Sequence, residues 1–329
     1  MDIRYFESNS FDPYYNLGLE KYLFENVHDD EVILYLWQNE KTIVCGRNQN
    51  VFKECNLTAL EDFGGRIARR LSGGGAVYHD LGNLNFTFIA RADNYDLAKQ
   101  LSVITAAVNA CGIEAEVTGR NDITAHGKKF SGNAFQKSNG THLHHGTIMI
   151  DVDTSHLSNV LNVSREKLQS KGVASVRSRV VNLCELSPDI TIEKIKGALK
   201  TAFFEIYSSK AQVFSSPLPN DEELKDFRNF FASHAWLYGE KFDFSNSFSQ
   251  RFSWGDIEIC VSVQGDKITS AKIYSDSLHP DFISHLTSAI GTKKYDANTL
   301  CKITEEALTL FPECTELVQD IQTLFKKSI

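Results

Sequence analysis

The sequence predicts a mixed α/β fold, α+β in detail: a mixed sheet with helices over most of the chain, then a small α+β C-terminal domain. Three observations predict it. Over the first 130 residues, short apolar runs alternate with turn residues, as strands and their connections do. From residue 97 onward, several segments carry apolar side chains at helical spacing. A serine- and asparagine-rich break at 241–250 (KFDFSNSFSQ) precedes a fresh hairpin pattern, so a domain boundary is expected near 245.

In chain order, residues 32–37 (VILYLW) and 42–45 (TIVC) read as neighbouring strands across the polar turn 38–41. Segments 66–70, 76–79 and 84–90 read as three more, broken by glycines. Residues 97–111 place Leu97, Leu101, Ile104 and Val108 on one helical face, and Gly112 closes the helix. Strands are expected at 113–117, 129–135 and 147–152, then helices at 192–207 and 222–231 around the Ser/Pro loop 215–220. Beyond 245, strands 256–263 and 268–274 flank the turn 264–267, and helices follow at 281–290, 298–310 and 315–325. The expected domains are 1–245 and 246–329.

Composition narrows the classes. The 329 residues are 42% hydrophobic and 23% charged, which excludes a disordered or collagen-like chain. A formal net charge of −8 argues against a protein that wraps nucleic acid, leaving room for a local basic patch. The seven cysteines are scattered, with no C-x-x-C pair, so neither a zinc ribbon nor a disulfide framework is expected. No signal peptide and no membrane-spanning run is read, so a reduced, cytoplasmic, soluble protein is the simplest expectation.

Four segments carry chemistry. In RRLSGGGAVYHDLGN (69–83), three successive glycines let backbone amides approach an anion, and Arg69 and Arg70 add fixed charge at the entry. A nucleotide phosphate suits this loop, although a plain glycine-rich turn between strands fits the same residues. The spacing is neither G-x-G-x-x-G nor a P-loop. In GRNDI (119–123) and GKKFSGNA (127–134), Asp122 follows a strand and can hold Mg²⁺. Strand alternation there places Lys129, Ser131 and Asn133 on one side. A lysine among small residues can reach a carboxylate and a phosphate together; an edge-strand lysine facing solvent is the plain alternative. THLHHGT (141–147) holds three histidines without a completing Cys, Asp or Glu, so a polar strand bordering a pocket is preferred to zinc. SKGVASVRSR (170–179) reads equally as a lid carrying Arg177 and Arg179 or as a solvated linker.

Together, RRLSGGGAVYHDLGNLNFTF (69–88), GRNDI, GKKFSGNAF (127–135), HHGTIMID (144–151) and KGVASVRSRVVNLCEL (171–186) resemble the lipoate–protein ligases, and the resemblance spans nearly the whole chain. It implies a class II synthetase-like biotin/lipoate ligase catalytic domain with a C-terminal accessory domain. The implied reaction takes lipoate and Mg²⁺·ATP to lipoyl-AMP and pyrophosphate. The lipoyl group then passes to a lysine of lipoyl domains of 2-oxoacid dehydrogenase E2 subunits or of glycine-cleavage H protein. By motif, Lys129 is catalytic, and Gly75, Ala76, Val77 and Tyr78 bind nucleotide. Asn83, Asn121 and Asp122 position nucleotide and Mg²⁺. Ser72, His79, Gly132, Ala134, His145 and Gly146 line the acyl channel. Arg70, Gly73, Gly74, Ser131, Arg177 and Arg179 complete the adenylate-binding set. A monomer with no nucleic-acid or membrane partner is expected.

Three rivals share some of these features. An octanoyltransferase of the same fold needs an activated cysteine, and Cys111 and Cys184 have no obvious base beside them in sequence. A biotin ligase is weakened by the lack of a Gly-Arg-Gly-Arg loop. A non-catalytic acyl-binding protein would not need Arg70, Asp122 and Lys129 together.

Overall fold

The computed structural model describes residues 2–119, 122–155, 157–162, 180–207, 213–214, 217–240 and 242–329. The chain divides into two compact units. The first comprises Met1–Val44, Phe52–Ala68 and Val77–Leu237; the second comprises Cys45–Val51, Arg69–Ala76 and Tyr238–Ile329. Two short loops from the N-terminal half, one of them the glycine segment, therefore group with the C-terminal residues.

The first unit begins with strand β1 (Asp2–Glu7), helix α1 (Pro13–Asn26) and strand β2 (Glu31–Trp37). Neither β1 nor α1 is expected from periodicity. Helix α1 buries Asn16 and Glu20 together with Leu17, Leu19, Leu23 and Phe24, so it shows no clean apolar stripe. It starts because the Asp12 side chain accepts from Tyr14 N–H and Pro13 fixes the first helical φ. Next come β3 (Thr42–Cys45), the short helices α2 (Val51–Glu54) and α3 (Leu57–Asp62), β4 (Arg66–Arg69), β5 (Val77–His79) and β6 (Asn83–Arg91). Helix α4 (Leu97–Ala110) leads to β7 (Ala115–Thr118), β8 (Asp122–Ala125), β9 (Lys128–Ser138) and β10 (Thr141–Met149). Short α5 (Leu157–Val160) and α6 (Leu183–Leu186) precede α7 (Ile192–Tyr207), β11 (Val213–Phe214), α8 (Asp221–Ala232) and α9 (His234–Tyr238).

Eight strands form one mixed sheet in the order β11-β1-β2-β6-β10-β9-β8-β7. β1 runs parallel to β2 and β11, and the remaining pairs are antiparallel. Alternation along β6 separates two faces. Leu84, Phe86, Phe88 and Ala90 join Val103, Ile104 and Ala107 of α4 and Leu199 and Phe203 of α7 in the core. Asn85 and Thr87 point to the opposite face, where the Thr87 hydroxyl meets Glu20 of α1. A second, three-stranded sheet has the order β4-β3-β5.

The C-terminal part of the second unit is an antiparallel meander of β12 (Asn246–Phe252), β13 (Gly255–Gln264) and β14 (Lys267–Ser275). Helices α10 (Pro280–Ile290), α11 (Ala297–Glu306) and α12 (Thr315–Ser328) follow it. Ile257, Ile259 and Val261 pack with Phe282, Leu286, Ile321 and Phe325. The sequence break at 241–250 is thus partly wrong: β12 begins at Asn246, a polar strand whose pairing with β13 overrides its Ser- and Asn-rich composition. Likewise the strand expected at 147–152 is β10, which starts at Thr141 because all of 141–149 pairs with β6.

Candidate active site

Lys129 owes its direction to a bulge. Across β8 and β9, Ile123 pairs with Ser131 but Thr124 pairs with Lys129, so Phe130 is an extra residue. The inserted residue breaks the alternation expected from sequence. Ser131 and Asn133 lie on the α4 face, where Asn133 Oδ1 meets His144 Nε2 at 2.8 Å. Phe130 is fully buried in that same core. Lys129 turns to the α1 face, where its Nζ is 2.6 Å from Asp122 Oδ1 and lies over Gly132. Both partners of that ion pair are a little over one-third exposed, at 36% and 38%. A Cβ at Gly132 would stand 2.9 Å from Nζ, so glycine there makes room for the ammonium. On the other side of Lys129, its carbonyl accepts from Val181 N–H at 3.0 Å.

The α1 face of the sheet is polar beside this lysine. His145 Nδ1 is 2.8 Å from Glu20 Oε1, and both side chains are buried. The same carboxylate oxygen accepts from the Thr87 hydroxyl at 2.7 Å, which in turn accepts from Trp37 Nε1–H at 3.0 Å. Buried polar groups need such partners, and this chain of bonds fixes the imidazole of His145. Thr147 Oγ1 accepts weakly from Gly132 N–H at 3.4 Å. Asn83 donates to Asn85 Oδ1 at 2.9 Å, and Asn85 donates to the Trp37 carbonyl. Ala134 pairs with His145 across β9 and β10, and Gly146 pairs with Asn133. Gly146 sits tightly, since a Cβ there would lie 2.5 Å from Phe86 Cζ and 2.7 Å from the Gly132 carbonyl oxygen.

The histidine cluster is divided between faces, which disfavours a metal shared among its members. His142 packs against the Tyr95 ring at 4.7 Å. His144 is stacked with Phe88 and Phe135, and burial pushes its pKa down to about 3. A neutral ring has one N–H, so of its contacts to Gln100 and Asn133 one is donated and one accepted. Turning the Gln100 amide so that Nε2–H donates to His144 Nδ1 satisfies both, and gives a partner to an otherwise unpaired nitrogen.

His79 and Tyr78 lie on β5. Asn39 Nδ2 is 3.3 Å from His79 Nδ1, and the ring stands edge-on to Trp37. Burial, with Asp80 and Asp153 nearby, pushes Tyr78 up to about 12. Asp80 is raised by burial first, against hydrogen bonds from the Gly82 and Asp153 amides.

In the second unit, the glycine segment is held from within. Arg70 Nε donates to Ser72 Oγ at 3.0 Å, and its Nη2 donates to the carbonyls of Gly73 and Gly75 at 2.6 and 2.8 Å. Arg69 donates to the carbonyls of Gly46, Arg47 and Gln49. Both guanidinium groups are buried and shape the loops, where the sequence reads them as fixed charge for an anion at the loop's entry. The three glycines differ in their reasons. A Cβ at Gly73 would strike the Ser277 carbonyl at 2.1 Å; Gly74 adopts φ +90°; nothing lies within 4 Å of a Cβ at Gly75. Gly74 N–H already donates to the Ser277 carbonyl at 3.1 Å. Ala76 and Val77 follow this loop into β5.

Asn121, Arg177 and Arg179, and the 170–179 segment as a whole, lie outside the described residues. The sequence alone assigns no role to Glu20, Trp37, Asn85, Thr87 or Thr147. The FDPYYNLGLE stretch containing Glu20 was the available signal, but nothing local links it to a histidine 125 residues away.

Residues 12–204 match the lipoyl protein ligase A/B catalytic domain, and 241–317 match the bacterial lipoate protein ligase C-terminus. The structure of P. falciparum LipL1 in complex with lipoate is 32% identical, with a TM-score of 0.81, over 92% of this chain and 94% of that one. A bi-partite lipoate protein ligase from Thermoplasma acidophilum, solved in a study of an archaeal lipoylation system and its E2 lipoyl domain, is 25% identical, with a TM-score of 0.63, over 74% of this chain and 98% of that one. A lipoate-protein ligase A bound with ATP is 24% identical, with a TM-score of 0.61, over 73% and 99%, a likeness of fold.

Proposed function

Because the chain belongs to the lipoate–protein ligase family, with both the catalytic and the C-terminal regions of that family, we propose that it carries out an ATP-dependent, two-step lipoylation. The lipoate carboxylate attacks the α-phosphorus of ATP, giving lipoyl-AMP and pyrophosphate. A lysine ε-amine of a lipoyl domain, or of glycine-cleavage H protein, then attacks the acyl carbon; AMP leaves and an amide forms.

What supports this reading best is Lys129, an ammonium aimed by a bulge onto the polar face and held by Asp122 over a glycine. Bringing a carboxylate to a triphosphate sets anion against anion, and a fixed cation offsets that repulsion. Lys129 accordingly contacts both the acyl carbonyl and the phosphate. Its ammonium is a compact charge that a bulkier, planar guanidinium would not replace. The Glu20–His145 pair fixes one wall of the acyl site, and the small Gly132 and Ala134 leave room beside it for an aliphatic tail; Gly146, which resemblance assigns to the same channel, turns to the opposite face against Phe86. The lipoyl chain gains about 0.8 kcal/mol per buried CH₂.

Ser72, His79 and Asn83, and the residues from Arg70 through Tyr78, take the roles that their motif has in the family. Arg70 acts by shaping the glycine loop. Arg177, Arg179 and Asn121 are assigned to nucleotide binding on the motif alone. Asp122 fits Mg²⁺ by donor type, since that ion takes one or two carboxylates, substrate phosphates and water. Mg²⁺ would supply charge neutralisation at the phosphates; the residues described above orient the reactants. Residues 1–245 form the catalytic domain of this reading and 246–329 the accessory domain.

The octanoyltransferase alternative needs an easily ionised thiol. Burial pushes both Cys111 and Cys184 up, and the Asp151 carboxylate adds to the effect at Cys184, which disfavours either as nucleophile. Among the described residues, no helix is long and apolar enough to cross a membrane. The test is pyrophosphate exchange into ATP with lipoate, octanoate or biotin, followed by transfer to a purified lipoyl domain. Lipoate-dependent exchange supports the reading; transfer from octanoyl carrier protein without ATP overturns it.

A further inference from the structure

From the convergence of His279, Glu313 and Cys314 in the second unit, we infer a site for a borderline divalent cation of the Zn²⁺ type. One imidazole nitrogen, one carboxylate oxygen and the Cys314 sulfur all lie within 4.8 Å of one another. None of these three residues is among those assigned to ligation, and the inference does not depend on that assignment.

The three residues are placed by two rigid corners. His279 immediately precedes Pro280, which opens α10, and its own N–H donates to Ser277 Oγ at 3.1 Å. Glu313 and Cys314 lie in the single 3₁₀ turn Pro312–Cys314 that leads into α12. The Cys314 N–H donates to the Phe311 carbonyl at 3.0 Å. The two corners are held together by packing: the Phe311 ring meets Phe282 at 5.8 Å and His285 at 5.5 Å. Cys314 is itself fully buried in that core, whereas Glu313 is exposed.

The donor set selects the ion. A thiolate with an imidazole and a carboxylate suits zinc, whereas Mg²⁺ and Ca²⁺ prefer oxygen alone. Tetrahedral zinc holds such donors about 3.3–3.7 Å apart, so closing around the ion takes a shift on the order of 1 Å. Three protein ligands leave one position, on the exposed Glu313 side, for water. On binding, the Cys314 Sγ–H bond breaks, a sulfur–metal bond forms, and the proton goes to solvent. The result is a clamp between the start of α10 and the start of α12. Its assigned role is structural, because it ties together two helix starts, those of α10 and α12, that pack in one core.

The test uses the full chain, freed of metal and titrated with Zn²⁺ alone and, separately, with Co²⁺ as a spectroscopic probe. The expected result is one Zn²⁺ per chain, a higher unfolding midpoint on zinc addition, and a sulfur-to-cobalt charge-transfer band in the near ultraviolet. Glu313→Gln, at an exposed position, should fold normally and bind at least about tenfold more weakly. Cys314→Ser should lose the cobalt band, while Cys301→Ser keeps it. No stoichiometric zinc in the wild type, or a cobalt band that survives Cys314→Ser, overturns the proposal. If the buried serine variant fails to fold, Glu313→Gln and His279→Gln decide: unchanged zinc affinity in both overturns it.

Discussion

Gly132→Ala separates the position of Lys129 from the stability of the sheet. The new methyl would stand 2.9 Å from Lys129 Nζ and 3.0 Å from its Cε, whereas ordinary contact begins near ~3.5 Å. The tip of a flexible side chain can retreat, so the ammonium moves by about 0.5–1 Å and its contact with Asp122 loosens. That ion pair is more than one-third exposed, so weakening it should cost less than about 1 kcal/mol. Misplacing a group by roughly 1 Å at a reacting centre can lower the rate about 10²-fold. Gly146→Ala makes the contrast. Its methyl would stand 2.7 Å from the Gly132 carbonyl oxygen and 2.5 Å from the buried Phe86 ring, neither of which can swing away. It should destabilise the fold by about 1–3 kcal/mol. Lipoate-dependent pyrophosphate exchange and thermal unfolding, measured on both variants, should therefore diverge: a large loss of exchange with little change in midpoint for Gly132→Ala, a lowered midpoint for Gly146→Ala. A Gly132→Ala variant that exchanges at the wild-type rate would refute the placement of Lys129 beside the reacting groups.

Lys129→Arg should fold normally yet lose most exchange activity, because a planar guanidinium does not fit over Gly132; a wild-type rate would count against the compact-charge argument. Glu20→Gln should destabilise by about 1–3 kcal/mol through the buried His145–Thr87 network, read as a lower denaturant midpoint at unchanged slope. His144 also sets a pH dependence. Its pKa is depressed to about 3 in the fold, against an ordinary value of 6.5, so the unfolded chain binds the extra proton between those limits. Its contribution to stability is complete above pH 6.5 and falls away towards pH 3, at up to about 1.4 kcal/mol per pH unit. Unfolding free energy measured across that window should show a shallower pH slope in His144→Phe than in the wild type, and equal slopes would contradict the neutral, buried ring.

What could be read from the sequence was local. The glycine run 73–75 announces a close backbone approach, and Gly73 and Gly74 supply it for two different reasons. The amphipathic helix at 97–111 and the hairpin at 256–274 carry periods that survive into the fold. Other features depend on partners distant in sequence. Glu20 looks like one more polar residue in a helix with no apolar stripe until His145 and Thr87 arrive beside it. The bulge at Phe130 exists only in the pairing of β8 with β9, and it reverses the face that alternation assigns to Lys129. Arg70 reads as a cation for a ligand, yet in the fold its charge is directed at the carbonyls of its own loop. The strand at Asn246–Phe252 was hidden by polar composition, because half of its side chains need no core.

In the proposed reaction Lys129 promotes the formation of an acyl-adenylate from lipoate and ATP. The direct measurement is isotope exchange between pyrophosphate and ATP, with and without lipoate, in the wild type and in Lys129→Ala. Exchange that requires lipoate and disappears in a folded Lys129→Ala variant is the result expected. Exchange that is absent from the wild type with lipoate, or that persists undiminished in the variant, would rule out that role for Lys129.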